Sequence, residues 1–150
     1  MPGSWPQQEF PALTDQNCAV VSPITRRYNC LAWAAANNAR WWWPDAMGIG
    51  YWPPNVPREE TVDAFLRAYG TLGYSQCADG SLELDIEKIV IYLDTSGTPT
   101  HAALQLQDGR WTSKMGGYED IEHATPEALS GPRYGKPSIY MSRARQQRVH

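Results

Sequence analysis

Charge is scarce in this sequence, and long apolar runs are missing. Charged residues make up 19% of the 150 residues, and the formal net charge is −3. A weakly acidic chain presents no overall basic field to nucleic acid. None of its apolar stretches approaches the length that spans a bilayer. The sequence therefore predicts neither a nucleic-acid partner nor a membrane partner.

The N-terminal segment lacks the features of a secretory signal. Residues 1–6 contain neither a basic region nor an apolar region. The expected location is the cytoplasm. The alternative is an exported effector that is carried by a machine reading no such leader.

Cysteine is also rare, and its spacing excludes two common uses. The chain has three cysteines, Cys18, Cys30 and Cys77, with no CxxC or HxxxH pair. We therefore expect neither a disulfide scaffold nor a metal site, and no cofactor. A single Cys18–Cys77 bridge stays open at this stage.

Aromatic residues, in contrast, are plentiful. Seven tryptophans and eight tyrosines, with 42% hydrophobic residues overall, indicate a folded core and argue against disorder. The length predicts one domain over residues 1–150. Within it we expect an irregular arm at residues 1–15 and a frayed basic tail at residues 143–150.

The order of the elements predicts an α+β fold. A helix is expected from Cys30 to about Arg40, ending before Pro44 at the latest. A second helix is indicated by the apolar stripe of Val62, Phe65, Leu66 and Tyr69, and a one-turn helix begins at Pro126. The predicted strands are residues 18–21, 88–93, 100–106, 110–114 and 138–141.

Cys30 is the candidate nucleophile. It stands in the first turn of its predicted helix, where free N–H groups and the helix dipole would stabilise a thiolate and lower the pKa of the thiol. The alternative is that Cys30 is a small core residue. Asn29, just before it, either caps the helix or joins the Cys30 N–H as an oxyanion donor.

His101 is the candidate partner, and a hairpin turn decides which residue would orient it. With a three-residue turn at residues 107–109 and Gly109 in a left-handed conformation, His101, Ser113 and Trp111 share one side of the sheet. We favour this turn because its Asp-Gly-Arg sequence suits it. Ser113 is therefore the expected orienting residue.

Other residues stay open for the third role. A two-residue turn would instead place Lys114 beside His101, where it would bind a substrate carboxylate rather than orient an imidazole. Asp120 and His123, in a predicted loop at residues 115–123, are rival orienting residues. Gly116-Gly117 would let this loop act as a flap.

Several strings carry a family resemblance. Cys30 at a helix start and His101 at the head of a strand–turn–strand hairpin resemble the papain-like cysteine hydrolases, in particular the NlpC and CHAP types. This resemblance implies a Cys30 helix packed against an antiparallel sheet that bears His101. The strings YNCLAWA (28–34), YWP (51–53), THAA (100–103), WTSKMG (111–116) and DIEH (120–123) also resemble a small uncharacterised bacterial domain family.

Two functions follow from these residues. The first is a cysteine-dependent amide hydrolase or acyl transferase that acts on a peptide or another amide-containing substrate. In that reading one or two rings of the aromatic cluster line a groove beside Cys30, and Trp33 and Trp111 are further candidate walls. The cluster comprises Trp41, Trp42, Trp43, Tyr51 and Trp52. The second is a non-catalytic binding domain on the same scaffold, which uses its tryptophan-rich face. The structural alternative for these indoles is simple core packing.

Overall fold

The computed structural model describes residues 5–22, 29–35, 40–115 and 119–145. Within these residues one sheet has seven strands: β1 (Cys18–Ser22), β2 (Ser75–Cys77), β3 (Ile86–Leu93), β4 (Pro99–Gln105), β5 (Trp111–Lys114), β6 (Asp120–His123) and β7 (Lys136–Ala144). The α-helices are α1 (Cys30–Ala34) and α2 (Val62–Gly70), and Gln7–Glu9 and Pro126–Leu129 form 3-10 turns. The strand order is β1-β6-β5-β4-β3-β7-β2, with every neighbouring pair antiparallel. The predicted α+β class is confirmed.

The two faces of the sheet carry separate cores. The first, here called the helix face, is covered by the two helices and includes Ile89, Ile91, Ala102 and Leu104. The second, called the arm face, is covered by the N-terminal arm and the 126–129 turn, and includes Val90, Tyr92, Ala103 and Trp111. Successive residues of β3 and β4 therefore alternate between the two cores, as the period of a strand requires.

Helix α2 follows its sequence signal closely. The Thr61 hydroxyl oxygen accepts a hydrogen bond from the Ala64 N–H at 3.2 Å, which caps the helix start. Phe65 and Tyr69, from the predicted apolar stripe, are buried on the helix face. Local pattern and tertiary packing agree here, so the prediction of this helix is confirmed.

Helix α1 is shorter than predicted. It ends at Ala34, and residues 40–43 are not helical, whereas the sequence pattern suggested a helix to about Arg40. Residues 36–39 lie outside the described part. The Tyr51 N–H donates to the Trp41 carbonyl at 2.8 Å, and the Trp43 N–H donates to the Tyr51 carbonyl at 3.0 Å. These long-range bonds satisfy an extended backbone that no local signal indicates.

The β4–β5 hairpin has the favoured three-residue turn. The Leu106 N–H donates to the Arg110 carbonyl at 2.7 Å, and Gly109 has a φ of 91°. Gly109 supplies the left-handed residue that this turn requires. Leu104 pairs with Thr112, so the predicted side-chain parity of the hairpin is confirmed.

Two strands were missed by the sequence analysis. β2 is a three-residue edge strand, and β6 lies inside the segment predicted to be a flap. Asp120–His123 pairs with both β5 and β1, so the flap prediction is wrong for these residues. A short segment with one β-branched residue forms a strand here because two neighbours offer it backbone partners. Gly116-Gly117 lies outside the described residues.

Both ends of the described chain are anchored. The arm contains a 3-10 turn at Gln7–Glu9, and Trp5, Phe10 and Leu13 are buried against the arm face. At the other end, Arg143 belongs to β7, and its Nη2 lies 2.6 Å from Oε1 of the fully buried Glu87. A buried carboxylate needs such a partner. The expected frayed tail is therefore wrong for residues 143 and 144, while 146–150 lie outside the described part.

All three cysteines are free thiols. Cys18 lies on β1 and Cys77 on β2, at opposite edges of the sheet, so the Cys18–Cys77 bridge is not formed. Neither of the helices in the described residues has the length and apolar character needed to cross a membrane.

Candidate functional site

The structure does not bring Cys30 and His101 together. Cys30 packs on the helix face, in the core that contains Ala102. His101 is the next residue along β4 and pairs with Tyr92 of the arm face. The His101 Nε2 is hydrogen-bonded to the Ser113 Oγ, and the His101 Nδ1 has no hydrogen-bond partner among the described residues. Neighbouring strand residues point to opposite faces, so the predicted Cys–His contact is absent.

The environment of Cys30 disfavours a thiolate. The side chain is buried among apolar groups, and this burial raises the pKa of the Cys30 thiol to about 11. The Ala102 N–H and the charge of Lys114 favour the thiolate but do not offset the desolvation. The predicted lowering of the pKa of Cys30 is therefore wrong, because the five-residue helix cannot compensate for the loss of water.

Asn29 is a structural clamp. Its Oδ1 caps α1 by accepting from the Ala32 N–H at 3.2 Å, and it also accepts from the Trp42 N–H at 2.9 Å. Its Nδ2 donates to the Trp42 carbonyl at 2.5 Å. These three hydrogen bonds join the helix start to the Trp42 segment. Of the two roles left open for Asn29, the structure gives the cap.

Lys114 and Asp120 lie on the helix face, away from His101. The two residues form a cross-strand pair between β5 and β6, and both are fully buried. Burial lowers the pKa of Lys114, and the charges of Asp120 and Cys30 oppose that effect. Asp120 therefore supports Lys114 rather than acting on His101.

Ser113 and His123 do join His101, in a buried network on the arm face. The Ser113 Oγ lies 3.1 Å from His101 Nε2 and 2.8 Å from His123 Nε2. His123 Nδ1 lies 2.8 Å from the Thr125 carbonyl oxygen. The predicted Ser113–His101 contact is present, and the rival residue His123 binds the other side of the same hydroxyl.

The donor and acceptor roles in this network follow from the contact between His123 Nδ1 and the Thr125 carbonyl. A carbonyl oxygen only accepts, so His123 Nδ1 carries the proton and its Nε2 accepts from the Ser113 hydroxyl. The Ser113 oxygen then accepts from His101 Nε2–H, which leaves His101 Nδ1 as an unpartnered acceptor. Burial lowers the pKa of His101 well below its usual range and that of His123 to about 4. Both imidazoles are therefore neutral at pH 7.

Trp33, Trp52 and Trp111 are not among the described residues that line the pocket beside Cys30. The Trp33 indole N–H donates to Thr112 Oγ1 at 2.9 Å, across α1 and β5. The Trp52 indole N–H donates to the Pro57 carbonyl at 2.9 Å, and Trp52 is buried. Trp111 lies on the predicted side of the sheet but is buried there. Their structural alternative, packing within the fold, is what the structure shows.

A pocket nevertheless opens at the start of α1. Its volume is about 320 Å³. Trp42 turns inward and packs on Tyr51 and Tyr69, while Trp41 and Trp43, on either side of it in the extended segment, line the pocket. The described lining residues are Asn29, Cys30, Trp41, Trp43, Thr100, Arg133 and Tyr134.

A family model described as a domain of unknown function, DUF7689, matches residues 19–142. The chain belongs to the DUF7689 family. No curated protein matches the chain, and no solved structure does. The part of this DUF7689 domain that the family model matches includes every described residue that lines the pocket, whereas Glu9 lies outside it.

Sequence reasoning missed one side of the DUF7689 pocket. Arg133 and Tyr134 lie in a turn whose ends, Gly131 and Gly135, exchange two backbone hydrogen bonds of 2.9 and 2.8 Å. Two glycines spaced four residues apart around Pro-Arg-Tyr are a turn signal that could have drawn attention to this segment. What it would face could not be read from the sequence.

Tyr134 connects the pocket to the histidine network. Its ring stacks on the His101 ring with centroids 4.0 Å apart and planes 12° apart. The Thr100 hydroxyl donates to the Tyr134 carbonyl, which fixes the backbone next to the ring. The His101–Ser113–His123 network therefore supports one wall of the pocket. None of these three residues is among the described lining residues.

Proposed function

We propose that this domain is a binding module whose aromatic pocket takes a short peptide segment or a similar amide-bearing ligand. The observation that carries the proposal is the pair of indoles, Trp41 and Trp43, which line one pocket on either side of the buried Trp42. Indole rings supply large apolar contact area with little loss of side-chain freedom. The volume of about 320 Å³ suits one or two amino-acid residues.

Preorganisation of the walls supports binding. Asn29 makes hydrogen bonds to the backbone N–H and carbonyl of Trp42. The backbone of Tyr51 makes hydrogen bonds to Trp41 and Trp43. The segment that carries the indoles is thus fixed on both sides. When a ligand enters such a site, little conformational entropy of the protein is lost.

The chemistry of the lining favours binding over catalysis. Among the described lining residues there is no imidazole and no carboxylate that could act as a general base. The cysteine that lines the pocket has a raised pKa, so at neutral pH it is a neutral thiol. An apolar, aromatic site with a few polar groups is typical of recognition.

The pocket is expected to bind N-acetyl-L-phenylalaninamide. With about 15 non-hydrogen atoms at about 0.3 kcal/mol each, the Kd should be on the order of 1 mM. Trp41→Ala should weaken this binding about tenfold because it removes one indole wall. Isothermal titration calorimetry and tryptophan fluorescence measure both effects.

Met47→Ala is the matched control for that experiment. Met47 is 84% exposed in the loop after the tryptophans and does not line the pocket. Its replacement should leave the Kd unchanged. Equal weakening by Met47→Ala and Trp41→Ala, or no saturable binding to the unmodified chain, would contradict a binding function for the pocket.

Cysteine-dependent amide hydrolysis or acyl transfer is the second candidate function. It is favoured by one observation: Cys30 lines the same pocket, and the Ala102 N–H is directed to its sulfur. A papain-like mechanism would need His101 on the helix face, so the group available to take the thiol proton is Lys114, whose pKa is lowered by burial. The thiolate would attack an acyl carbon, the amine would leave with that proton, and water would release the acyl group.

Alkylation of Cys30 distinguishes the two candidates. Since the pKa of Cys30 is raised to about 11, iodoacetamide should react with it slowly below about pH 8 unless the protein is unfolded. A Cys18→Ser/Cys77→Ser variant isolates the signal, and mass spectrometry measures the rate across pH. Rapid alkylation below about pH 8 in the folded protein would instead favour acyl chemistry.

A further inference from the structure

The pocket carries one charge among its described lining residues. Arg133 is that residue, and it faces a site whose other walls are indoles, a tyrosine, a threonine hydroxyl, an asparagine and a thiol. A guanidinium binds carboxylates with two parallel hydrogen bonds where geometry allows. The pocket therefore combines an apolar body with one fixed site for a negative group.

The backbone that presents Arg133 is rigid. Gly131 and Gly135 close the turn through two backbone hydrogen bonds, and a Cβ at Gly135 would come within 2.0 Å of the Leu93 carbonyl oxygen. Gly135 also has a φ of 80°, a conformation that side chains rarely adopt. The turn is thus held in one shape against the end of β3, and the backbone from which Arg133 reaches the pocket is fixed.

The structure already places a carboxylate on this guanidinium. Glu9 Oε1 lies 3.2 Å from Arg133 Nη1, and both side chains are substantially exposed. The arm is brought there by close packing, since a Cβ at Gly131 would lie 3.1 Å from the Glu9 carbonyl oxygen. An exposed ion pair of this kind is weak, so a better-placed carboxylate can displace Glu9.

We propose that the pocket selects ligands in which a carboxylate lies next to an aromatic or large apolar side chain, as at the C-terminus of a peptide, with Arg133 binding the carboxylate and Glu9 competing for it. This inference rests on the proposed binding function and adds its ligand class. The indoles contact the apolar part of the ligand, and Arg133 makes the acid the preferred form. Glu9 sets the affinity by occupying the same guanidinium when the pocket is empty.

The test compares two probes that differ in one group. N-acetyl-L-phenylalanine has a carboxylate where N-acetyl-L-phenylalaninamide has a neutral amide. With the full chain, the acid should bind about tenfold more tightly than the amide, and the preference should shrink as salt is raised. Arg133→Gln should remove the preference, so that this variant binds the acid and the amide with equal affinity.

Glu9→Gln tests whether Glu9 competes with the ligand, since a merely structural role of Glu9 would not make its loss tighten binding. It should tighten binding of the acid about threefold, because the competing carboxylate is gone, and leave the amide unaffected. Since both residues are exposed, thermal unfolding of the two variants should match that of the unmodified chain. Two further probes separate the sources: tighter binding of Ac-Ala-Ala-Phe than of 3-phenylpropionate supports a peptide C-terminus, and the reverse order supports a free aromatic acid.

The failures are distinguishable. Equal affinities for the acid and the amide, each weakened by Trp41→Ala, would overturn carboxylate selection and leave the binding pocket standing. A preference for the acid that persists in Arg133→Gln would overturn the assignment to Arg133. Absence of saturable binding of both probes would overturn this inference together with the proposed function.

Discussion

Replacement of Asn29 by alanine is expected to lower the free energy of unfolding by about 3 kcal/mol. About 1 kcal/mol comes from the lost helix cap, and the rest from the N–H and carbonyl of Trp42, which would be left without their partner in the interior. The three hydrogen bonds concerned join the start of α1 to the segment that carries the pocket indoles. Urea unfolding measures the loss, and the affinity of the pocket for N-acetyl-L-phenylalaninamide should fall with it.

Thr61→Ala is the matched control. Thr61 caps α2 through its hydroxyl in the way that Asn29 caps α1. Its replacement removes only a cap, so we expect a loss of about 1 kcal/mol and no change in ligand affinity. If Asn29→Ala lowers the free energy of unfolding no more than Thr61→Ala does, the hydrogen bonds from Asn29 to Trp42 do not stabilise the fold.

The protein is expected to lose about 3 kcal/mol of stability as the pH falls from about 6.5 to about 4, because of His123 alone. The pKa of His123 is lowered from 6.5 to about 4 by burial in the folded protein. Between these values the unfolded chain binds a proton that the folded chain does not. Stability from this group is therefore complete above pH 6.5 and is lost as the pH falls toward 4. The lowered pKa of His101 acts in the same direction.

The pH range in which stability is lost separates the contribution of His123 from the contributions of the carboxylates. Asp45 and Asp79 also have lowered pKa values, but their contribution is lost only below the usual value of 3.8. Urea unfolding at a series of pH values measures the slope. His123→Gln should be less stable at neutral pH and should show a smaller slope between pH 4 and 6.5. An equal slope in both proteins would mean that His123 does not carry the effect.

Acid should also act on the pocket. The His101 ring stacks on Tyr134, and Tyr134 lines the pocket. A proton on His123 Nε2 turns this nitrogen into a donor, and the Ser113 hydroxyl, which then accepts from both imidazoles, loses the acceptor for its own proton. A proton on His101 Nδ1 instead places a charge without a hydrogen-bond partner in the interior. The wall formed by Tyr134 therefore depends on both histidines being neutral.

The hairpin shows how far local rules reach. The Asp-Gly-Arg turn gave the correct pairing, and from it the contact between His101 and Ser113 was predicted correctly. The same reasoning could not say which face of the sheet the Cys30 helix would cover. That choice depends on how two apolar cores are divided between the faces, and each core is assembled from residues far apart in the chain.

His123 and Arg133 illustrate what local pattern could not supply. His123 belongs to a strand that exists because β1 and β5 flank it, and its contact with Ser113 follows from that pairing. Arg133 reaches the pocket because its turn packs against the end of β3. The pairing of Cys18 with His123 and the packing of Gly135 on Leu93 both join residues far apart in the chain, and no periodicity records them.

The sequence by itself determined the α+β class, the second helix, the main strands and the shape of the β4–β5 turn. These depend on side-chain periodicity, caps and turn residues, which act over a few positions. Tertiary structure alone decided that Cys30 and His101 face opposite sides, that the thiol is buried, and that Arg133 joins the indoles at the pocket. The physical reason is that burial, and therefore pKa and accessibility, is a property of the packed whole and not of any short segment.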